Sequence, residues 1–280
     1  MKTKVICIAL AALAACCVAN AQGWGNKRVK ESKNYVTKEI KVDDFTKIQL
    51  LGSPTVYFTQ KPGKPEVKVY TSDNIAEVLD IHEEGGTLYV GFKKGYSVSY
   101  SKLDINVSSE TLDAVHITGS GEVYIKKGLT TDDLSLHIAG SGDIAGNDIR
   151  CSRLETEVAG SGDLVLTGVA CTAVEASVAG SGDLTLRQLA TTSVKASVAG
   201  SGDLTLNGKG EEASYRVAGS GDIHATGMVV GRVDASVAGS GDIKCHATDY
   251  LKARVNGSGD IGYKGHPKEV DIPRRNIYEL

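Results

Sequence analysis

The chain repeats one four-residue phrase, Gly-Ser-Gly followed by an acid, eight times between Gly119 and Asp260. The first glycines of successive phrases are 18 to 21 residues apart. A period this regular predicts one supersecondary unit stacked many times. Each unit of such a solenoid contacts its neighbours alone, so a function must belong to a repeated surface and not to a single enclosed pocket.

Each repeat combines two short alternating runs with a glycine-rich corner. In one repeat, residues 194–198 alternate before Gly200 and residues 204–206 alternate after it. Alternation predicts strands, and glycines, which tolerate positive φ, predict a tight corner between them. The residues two before and four after the first glycine are apolar in all eight repeats. We predict an all-β, right-handed parallel β-helix with about 20 residues per coil.

The predicted solenoid domain spans residues 41–270. Within it, residues 52–118 hold a degenerate first coil and an insertion that covers one end, and residues 119–262 form the regular coils. The degenerate coil is found by aligning residues 45–58 with residues 112–125. Residues 22–40 are polar and are predicted to be a flexible lead. Residues 271–280 are predicted to be a C-terminal tail that helps to cover the other end.

Residues 1–21 have the pattern of a signal peptide. Lys2 and Lys4 precede an apolar stretch, and residues 19–21 (Ala-Asn-Ala) have the form of a peptidase site. We therefore expect an exported protein, either periplasmic, on the outer-membrane surface or secreted. Residues 13–16 also resemble a lipobox, and lipidation of Cys16 would instead tie the protein to a membrane. No later segment approaches about 18 consecutive apolar residues, so no transmembrane segment is predicted.

Charge and cysteine content exclude two broad classes of protein. Without residues 1–21 the chain has 29 basic and 34 acidic residues, a net charge of about −5. Nucleic acids and anionic membranes are normally bound by basic patches, so we do not expect either as the main partner. The three remaining cysteines, Cys151, Cys171 and Cys245, are too few for a disulfide-dense scaffold. The core must therefore come from packing.

The acids of the phrase should stack as a ladder, one strand spacing apart. They are Glu122, Asp143, Asp163, Asp183, Asp203, Asp222, Asp242 and Asp260. Adjacent carboxylates repel unless a cation or hydrogen-bond donors intervene. Calcium is the natural cation in an exported protein, and the alternative is that each Asp accepts bonds from corner amides. We favour the structural alternative, and predict no cofactor.

Two pairs of residues share a column in neighbouring coils. Cys151 and Cys171 should lie within the Cα separation of disulfides, about 4.4–6.8 Å, and either a disulfide or two free thiols fits the pattern. His116 and His137 could form a weak transition-metal site, with solvated surface residues as the default. The sequence contains no metalloprotease motif, nucleophile elbow or phosphate loop. We predict no catalytic residues.

The motifs together resemble the family of auto-transporter adhesins with a head GIN domain. The resemblance rests on the export signal, the Phe45-x-x-Ile48-x-Leu50-x-Gly52-Ser53 opening, the Gly-Ser-Gly-Asp phrases and the closing Gly265-His266-Pro267. It covers residues 42–270. It implies a fold similar to pectate-lyase-like β-helices, without recognised catalytic residues, and a role in cell adhesion.

We therefore expect a non-enzymatic, exported β-solenoid of the bacterial cell envelope that binds glycan or protein. A polysaccharide lyase or hydrolase on the same fold is one alternative, and it would need carboxylates or a basic residue gathered in one groove. A purely structural component that self-associates is another. A groove that concentrates tyrosines would favour sugar binding, and the candidates are Tyr96, Tyr100, Tyr124 and Tyr215.

Overall fold

The computed structural model describes residues 26–273 and 276–280. It is 72% strand and 2% helix, and its strands stack as parallel coils in a β-solenoid of about eight turns. The predicted all-β solenoid is confirmed. The right-handed sense of the coils was predicted because connections between parallel strands are usually right-handed, and it stays a prediction. The expected signal peptide (1–21) and Cys16 lie outside the described residues.

The strands fall into three groups along the chain. The N-terminal group is β1 (Lys27–Lys30), β2 (Tyr35–Ile40), β3 (Lys47–Gly52), β4 (Thr55–Gln60), β5 (Glu66–Ser72), β6 (Leu79–Glu84), β7 (Thr87–Phe92), β8 (Tyr96–Ser99) and β9 (Leu103–Ser109), with a one-turn helix α1 (Asp73–Ala76) after β5. The repeat group is β10 (Ala114–Gly119), β11 (Glu122–Lys126), β12 (Leu129–Thr130), β13 (Asp133–Gly140), β14 (Asp143–Gly160), β15 (Asp163–Gly180), β16 (Asp183–Ala190), β17 (Ser193–Gly200), β18 (Leu204–Gly219), β19 (Ile223–Gly239) and β20 (Ile243–Gly257). The C-terminal group is β21 (Ile261–Lys264), β22 (Glu269–Asp271) and β23 (Ile277–Glu279).

Successive coils pair in parallel, with equivalent residues of each repeat in register. The pairing of β14 with β15, for example, ends with Gly160 opposite Gly180. The column four residues after the first glycine is buried in every repeat, and the column two before it is buried in all repeats but the last, where Val255 is half-buried. Each fully buried side chain of this size contributes about 1.5–3 kcal/mol. The core is therefore a continuous row of apolar side chains along the axis.

The corners explain why the phrase needs two glycines. The first glycine of every phrase has φ between 129° and 147°, where side chains are disfavoured. A Cβ on Gly160 would collide with the carbonyl oxygen of Gly140, and a Cβ on Gly162 with that of Gly142. The same Gly140 carbonyl accepts the backbone N–H of Ser161 at 2.8 Å. Close approach between coils thus excludes a side chain at both positions.

The insertion after β4 doubles back and covers the N-terminal end. β7 and β9 pair in parallel with β3 and β4 on one side, and β10 and β11 pair with them on the other. β7 and β9 are therefore the outermost coil. Antiparallel pairing of β5 with β9, and of β2 with β5, then continues the sheet beyond that coil.

The prediction of a flexible lead at residues 22–40 is wrong for residues 26–40. β1 pairs in parallel with β8, and β2 pairs antiparallel with β5. The side chain of Asp73 accepts hydrogen bonds from Ser32 Oγ at 2.5 Å and from Asn34 Nδ2 at 2.8 Å. The sequence analysis did not predict β1 and β2, because backbone pairing and polar contacts hold these strands and their residues show no alternating apolar pattern.

The C-terminal tail extends the other end of the solenoid. β22 pairs with β20, and β23 pairs with β21. Arg254 makes a bidentate contact with the Asp271 carboxylate at 2.7 and 2.8 Å. The backbone N–H of Leu280 donates to the carbonyl oxygen of Tyr263 at 2.8 Å. The described part of the predicted tail (271–280) therefore helps to cover the last regular coil.

Candidate functional site

The acids of the repeats form a hydrogen-bonded ladder. Asp143 Oδ1 accepts the backbone N–H of Asp163 at 2.9 Å, and the same bond joins every later pair at 2.7–3.2 Å. We call Asp143, Asp163, Asp183, Asp203, Asp222, Asp242 and Asp260 the acid ladder. In the structural interpretation each Asp accepts a hydrogen bond from a corner amide. Here the donor amide lies in the next coil. The calcium hypothesis for the same residues stays a prediction.

Glu122 occupies the ladder column one coil earlier but has different partners. Its Oε2 atom accepts the hydroxyl of Thr55 at 3.3 Å and the hydroxyl of Tyr124 at 3.2 Å. Burial, and then the charge of Glu122, raises the pKa of Tyr124. This carboxylate therefore links its coil to the preceding one through a side-chain hydroxyl and also orients an aromatic ring.

One section of the ladder lies beside a histidine. His224 Nε2 is 3.8 Å from Asp203 Oδ2, and ligand atoms of Asp203, Asp222 and His224 all lie within 4.8 Å of one another. The register partner of His224 in the next coil is Lys244, which places a positive charge in the same column. A cation there would be repelled by that lysine. The sequence analysis did not bring His224 together with the acids, because it lies two residues along the strand from the acid column.

The histidine pair is adjacent, as predicted. The rings of His116 and His137 have centroids 5.7 Å apart, and His137 Nδ1 lies 3.0 Å from Glu157 Oε2. Partial burial, and then the positive charges of His137 and Lys47, lowers the pKa of His116. Among residues 26–273 and 276–280, no group of three metal-ligating side chains includes either histidine.

The cysteine pair is also adjacent. Cys151 and Cys171 are register partners of β14 and β15, and both are thiols in the structure. The hydrogen bond between them lowers the pKa of Cys171 and raises the pKa of Cys151, because the Cys151 S–H stabilises a thiolate on Cys171. Cys245 is separate and fully buried, and burial raises its pKa to about 12. The disulfide between Cys151 and Cys171 stays a prediction.

The four candidate tyrosines do not form one groove. Tyr215 is completely buried in the core, so it cannot contact a ligand. Tyr96 lies on β8 with Lys27 Nζ 6.0 Å from its ring centroid. The Tyr100 hydroxyl donates to the carbonyl oxygen of Ser53 at 2.8 Å. Tyr124 lies on the outward face of β11 and has a different aromatic partner.

That partner is Tyr57. The two residues are register partners of β4 and β11, and their rings stack with centroids 5.5 Å apart and planes inclined by 21°. On the opposite side of Tyr124 its register partner is Ala145, whose methyl group leaves that face of the ring open. We call this open face of Tyr124, together with Ala145 and Val165, the tyrosine shelf. The alignment of the degenerate coil could have paired the two tyrosines from sequence.

The three residues of the tyrosine shelf line a concavity of about 320 Å³. Besides the shelf residues, it is lined by Lys126, Asn147 and Thr167. Lys126 Nζ lies 3.7 Å from the centroid of the Tyr57 ring, so a positive charge is held beside the stacked tyrosines. Small-ligand sites combine an apolar surface with a few polar groups in about 300–1,000 Å³. The concavity has both features.

Two other concavities are less suited to binding. The larger, of about 1,100 Å³, lies at the N-terminal end, where Lys68 pairs with Glu66 at 3.3 Å and with Glu39 at 3.4 Å. Much of its charge is therefore neutralised internally. Another, of about 310 Å³, contains Tyr250, but Arg232 lies 4.6 Å from that ring centroid. Its aromatic face is already occupied.

Solved structures with a similar fold come from two Parabacteroides species. A "putative lipid binding protein" from Parabacteroides distasonis is 27% identical, with a TM-score of 0.71, and the match covers 91% of this chain and 100% of that one. A "putative adhesin" from the same species is 25% identical, with a TM-score of 0.72 and the same coverage. A "putative adhesin" from Parabacteroides merdae is 26% identical, with a TM-score of 0.68, covering 90% and 99%. A comparison with curated proteins gives no match.

In the described part of the chain, no helix is long and apolar enough to cross a membrane. The family model described as "Putative auto-transporter adhesin, head GIN domain" matches residues 44–204 and 169–267, which together span most of the chain. The repeat corners, the acid ladder and the opening coil all lie within the matched residues. The chain therefore belongs to the family of auto-transporter adhesins with a head GIN domain.

Proposed function

We propose that this protein is an exported, non-enzymatic adhesion module of the bacterial cell envelope that binds surface glycans. The observation that carries the proposal is the tyrosine shelf. Its aromatic ring is fixed by Tyr57 and Glu122, while the face toward Ala145 is open. Aromatic faces of this kind pack against the C–H faces of sugars. Membership of an adhesin family, and two similar structures named as adhesins, support the same role.

The acid ladder supports a non-enzymatic role. Polysaccharide lyases and hydrolases gather their carboxylates or bases in one groove. Here the aspartates are spread one per coil, and from Asp143 to Asp242 each accepts a backbone N–H from the next coil. This is the arrangement that a structural requirement produces. Fold analogy alone would not support catalysis.

The capped ends disfavour a purely structural role through end-to-end assembly. At one end, β2 and β5 pair beyond the outermost coil, and at the other end β23 pairs with β21. A second solenoid would meet only the short edge strands β2 and β23 at these ends, and not the edge of a regular coil. We therefore place the binding function on the side of the solenoid.

The test is a glycan array and a cell-binding assay with the purified protein lacking the predicted signal peptide. We expect binding to a subset of glycans and to cells that display them, and a loss of both with Tyr124→Ala. Tyr250→Ala is the matched control, because Arg232 covers that ring and the variant should bind normally. Binding to protein-free lipid vesicles without glycan binding, or no binding in either assay, would contradict the proposal.

A further inference from the structure

We infer that the tyrosine shelf binds a pyranose ring that carries an acidic group, either a carboxylate or a sulfate. The inference rests on the proposed function and names the class of ligand for that site. It depends on three observations: the rigidity of Tyr124, the space above it and the charge around it.

The ring of Tyr124 is held before any ligand arrives. Tyr57 stacks on one face, and the hydroxyl donates to Glu122 at 3.2 Å. Glu122 also accepts a hydrogen bond from Thr55 in the preceding coil, so the acceptor itself is fixed. A preorganised aromatic face loses little conformational entropy when a sugar stacks on it.

The space above Tyr124 matches the thickness of one sugar ring. Successive coils are about 4.8 Å apart, so a ring stacked on Tyr124 would lie at the level of Ala145, its register partner. The next residue, Gly146, is buried, and a Cβ there would lie 3.1 Å from Leu166 Cδ2. Gly146 therefore faces the core, and the step between Tyr124 and Val165 comes from the small side chain of Ala145. A larger side chain at position 145 would occupy the place of the sugar.

The charge around the step selects an acidic sugar. Lys126 and Lys127 both line the concavity and are exposed, whereas none of its lining residues is an acid. Two acids of the ladder column flank the step, and both already accept hydrogen bonds: Glu122 from Thr55 and Tyr124, and Asp143 from the backbone N–H of Asp163. Asn147 and Thr167 offer an amide and a hydroxyl for sugar hydroxyl groups. The two ammonium groups would attract a carboxylate or sulfate on the sugar more strongly than the hydroxyl groups of a neutral sugar.

The experiment is isothermal titration of the protein with three oligosaccharides of equal length. These are an oligouronate, its carboxyl-reduced neutral counterpart and a sulfated oligosaccharide, so the arms separate the two acidic groups. We expect the acidic ligands to bind at least several-fold more tightly than the neutral one. Added salt should weaken the binding of the acidic ligands alone, because it screens their attraction to the lysine side chains.

Three variants locate the site. Tyr124→Ala should weaken binding about tenfold or more, and Ala145→Leu should do the same by filling the step while leaving Tyr124 in place. Lys126→Gln should reduce the preference for acidic over neutral ligands, Lys126→Gln combined with Lys127→Gln should abolish it, and both proteins should keep the weaker neutral binding. Tyr250→Ala should change none of these values, and circular dichroism should show that all the variants are folded.

The outcomes separate the two levels of the proposal. If neutral and acidic ligands bind equally and Tyr124→Ala still abolishes binding, the inference about acidic sugars is wrong and the glycan-binding function stands. If folded Tyr124→Ala and Ala145→Leu proteins bind like the wild type, the shelf is not the site. If the wild-type protein binds none of the three and no glycan on the array, the proposed function fails as well.

Discussion

Asp183 Oδ1 accepts a hydrogen bond from the backbone N–H of Asp203, 3.0 Å away in the next coil. The same link joins the other neighbours along the acid ladder, so the carboxylate of one corner orders the start of the next strand. The motif that dominates the sequence thus has a structural task. This distinction between acids that build the solenoid and side chains that bind a ligand can be tested residue by residue.

Asp183→Ala should lower the free energy of unfolding by about 1 kcal/mol, because the Asp203 amide loses its acceptor. Asp183→Asn should cost much less, since an amide oxygen still accepts the bond and repulsion from Asp163 and Asp203 is relieved. Urea unfolding of the three proteins measures both changes.

If Asn were as damaging as Ala, the charge itself would be required and the ladder would have to hold a cation. Calcium offers an independent check. Adding millimolar calcium should leave the Tm of the wild-type protein unchanged, whereas a bound ion would raise it.

Gly180→Ala should destabilise the protein severely, because its φ is 141° and a Cβ would collide with the carbonyl oxygen of Gly160. Gly63→Ala is the matched control. Gly63 also has a positive φ, 101°, but no atom lies within 4 Å of an added Cβ. We expect it to lose about 1–2 kcal/mol from backbone strain alone. Similar Tm values for the two variants would show that close approach between coils does not explain the corner glycines.

Tyr215→Phe should preserve stability or raise it by about 1 kcal/mol. The Tyr215 hydroxyl is buried with no hydrogen-bond partner among the described residues, and burial, then the nearby Cys245, raises its pKa. Removing the hydroxyl therefore removes a desolvation cost. Tyr215→Ala should instead cost about 3–5 kcal/mol through the cavity it leaves. Thermal unfolding would contradict this account if Phe destabilised the protein.

Mild oxidation should join Cys151 to Cys171 and leave Cys245 free. The first two are register partners, and the lowered pKa of Cys171 favours the thiolate that begins the reaction. Cys245 is fully buried with a pKa of about 12, so it stays protonated at neutral pH. Mass spectrometry of peptides from the diamide-treated protein reads the pairing. A free Cys151 after treatment would show that the two side chains cannot reach bonding geometry.

The architecture of the repeats was predictable because each column must meet one environment. Val198 and Leu204 each belong to a column that is apolar in every repeat. The residues of the inner face could therefore be identified from the sequence. Strand β2 could not be read in this way, since none of its side chains is fully buried and backbone pairing with β5 holds it. The periodicity of apolar residues indicates which side chains are buried. It gives little information on strands at the edge of a sheet.

The candidate site was predictable only in part. Aligning the degenerate coil could have placed Tyr57 beside Tyr124, but it could not have shown that Ala145 leaves the ring open on the other side. Tyr215 was a candidate in the same way as Tyr124, as a tyrosine of the repeats. Its side chain instead points into the core, where its register partners are Ala196 and Ala235. The position of Lys126 over Tyr57 depends on side-chain direction, which the sequence does not encode in a pattern.

The most direct measurement is the affinity of one acidic oligosaccharide for three proteins: the wild type, Asp183→Ala and Tyr124→Ala. Our account predicts that Asp183→Ala binds like the wild type despite its lower Tm, whereas Tyr124→Ala stays folded and loses about tenfold or more in affinity. Loss of binding in a folded Asp183→Ala protein, with normal binding by Tyr124→Ala, would contradict it and assign ligand binding to the acid ladder.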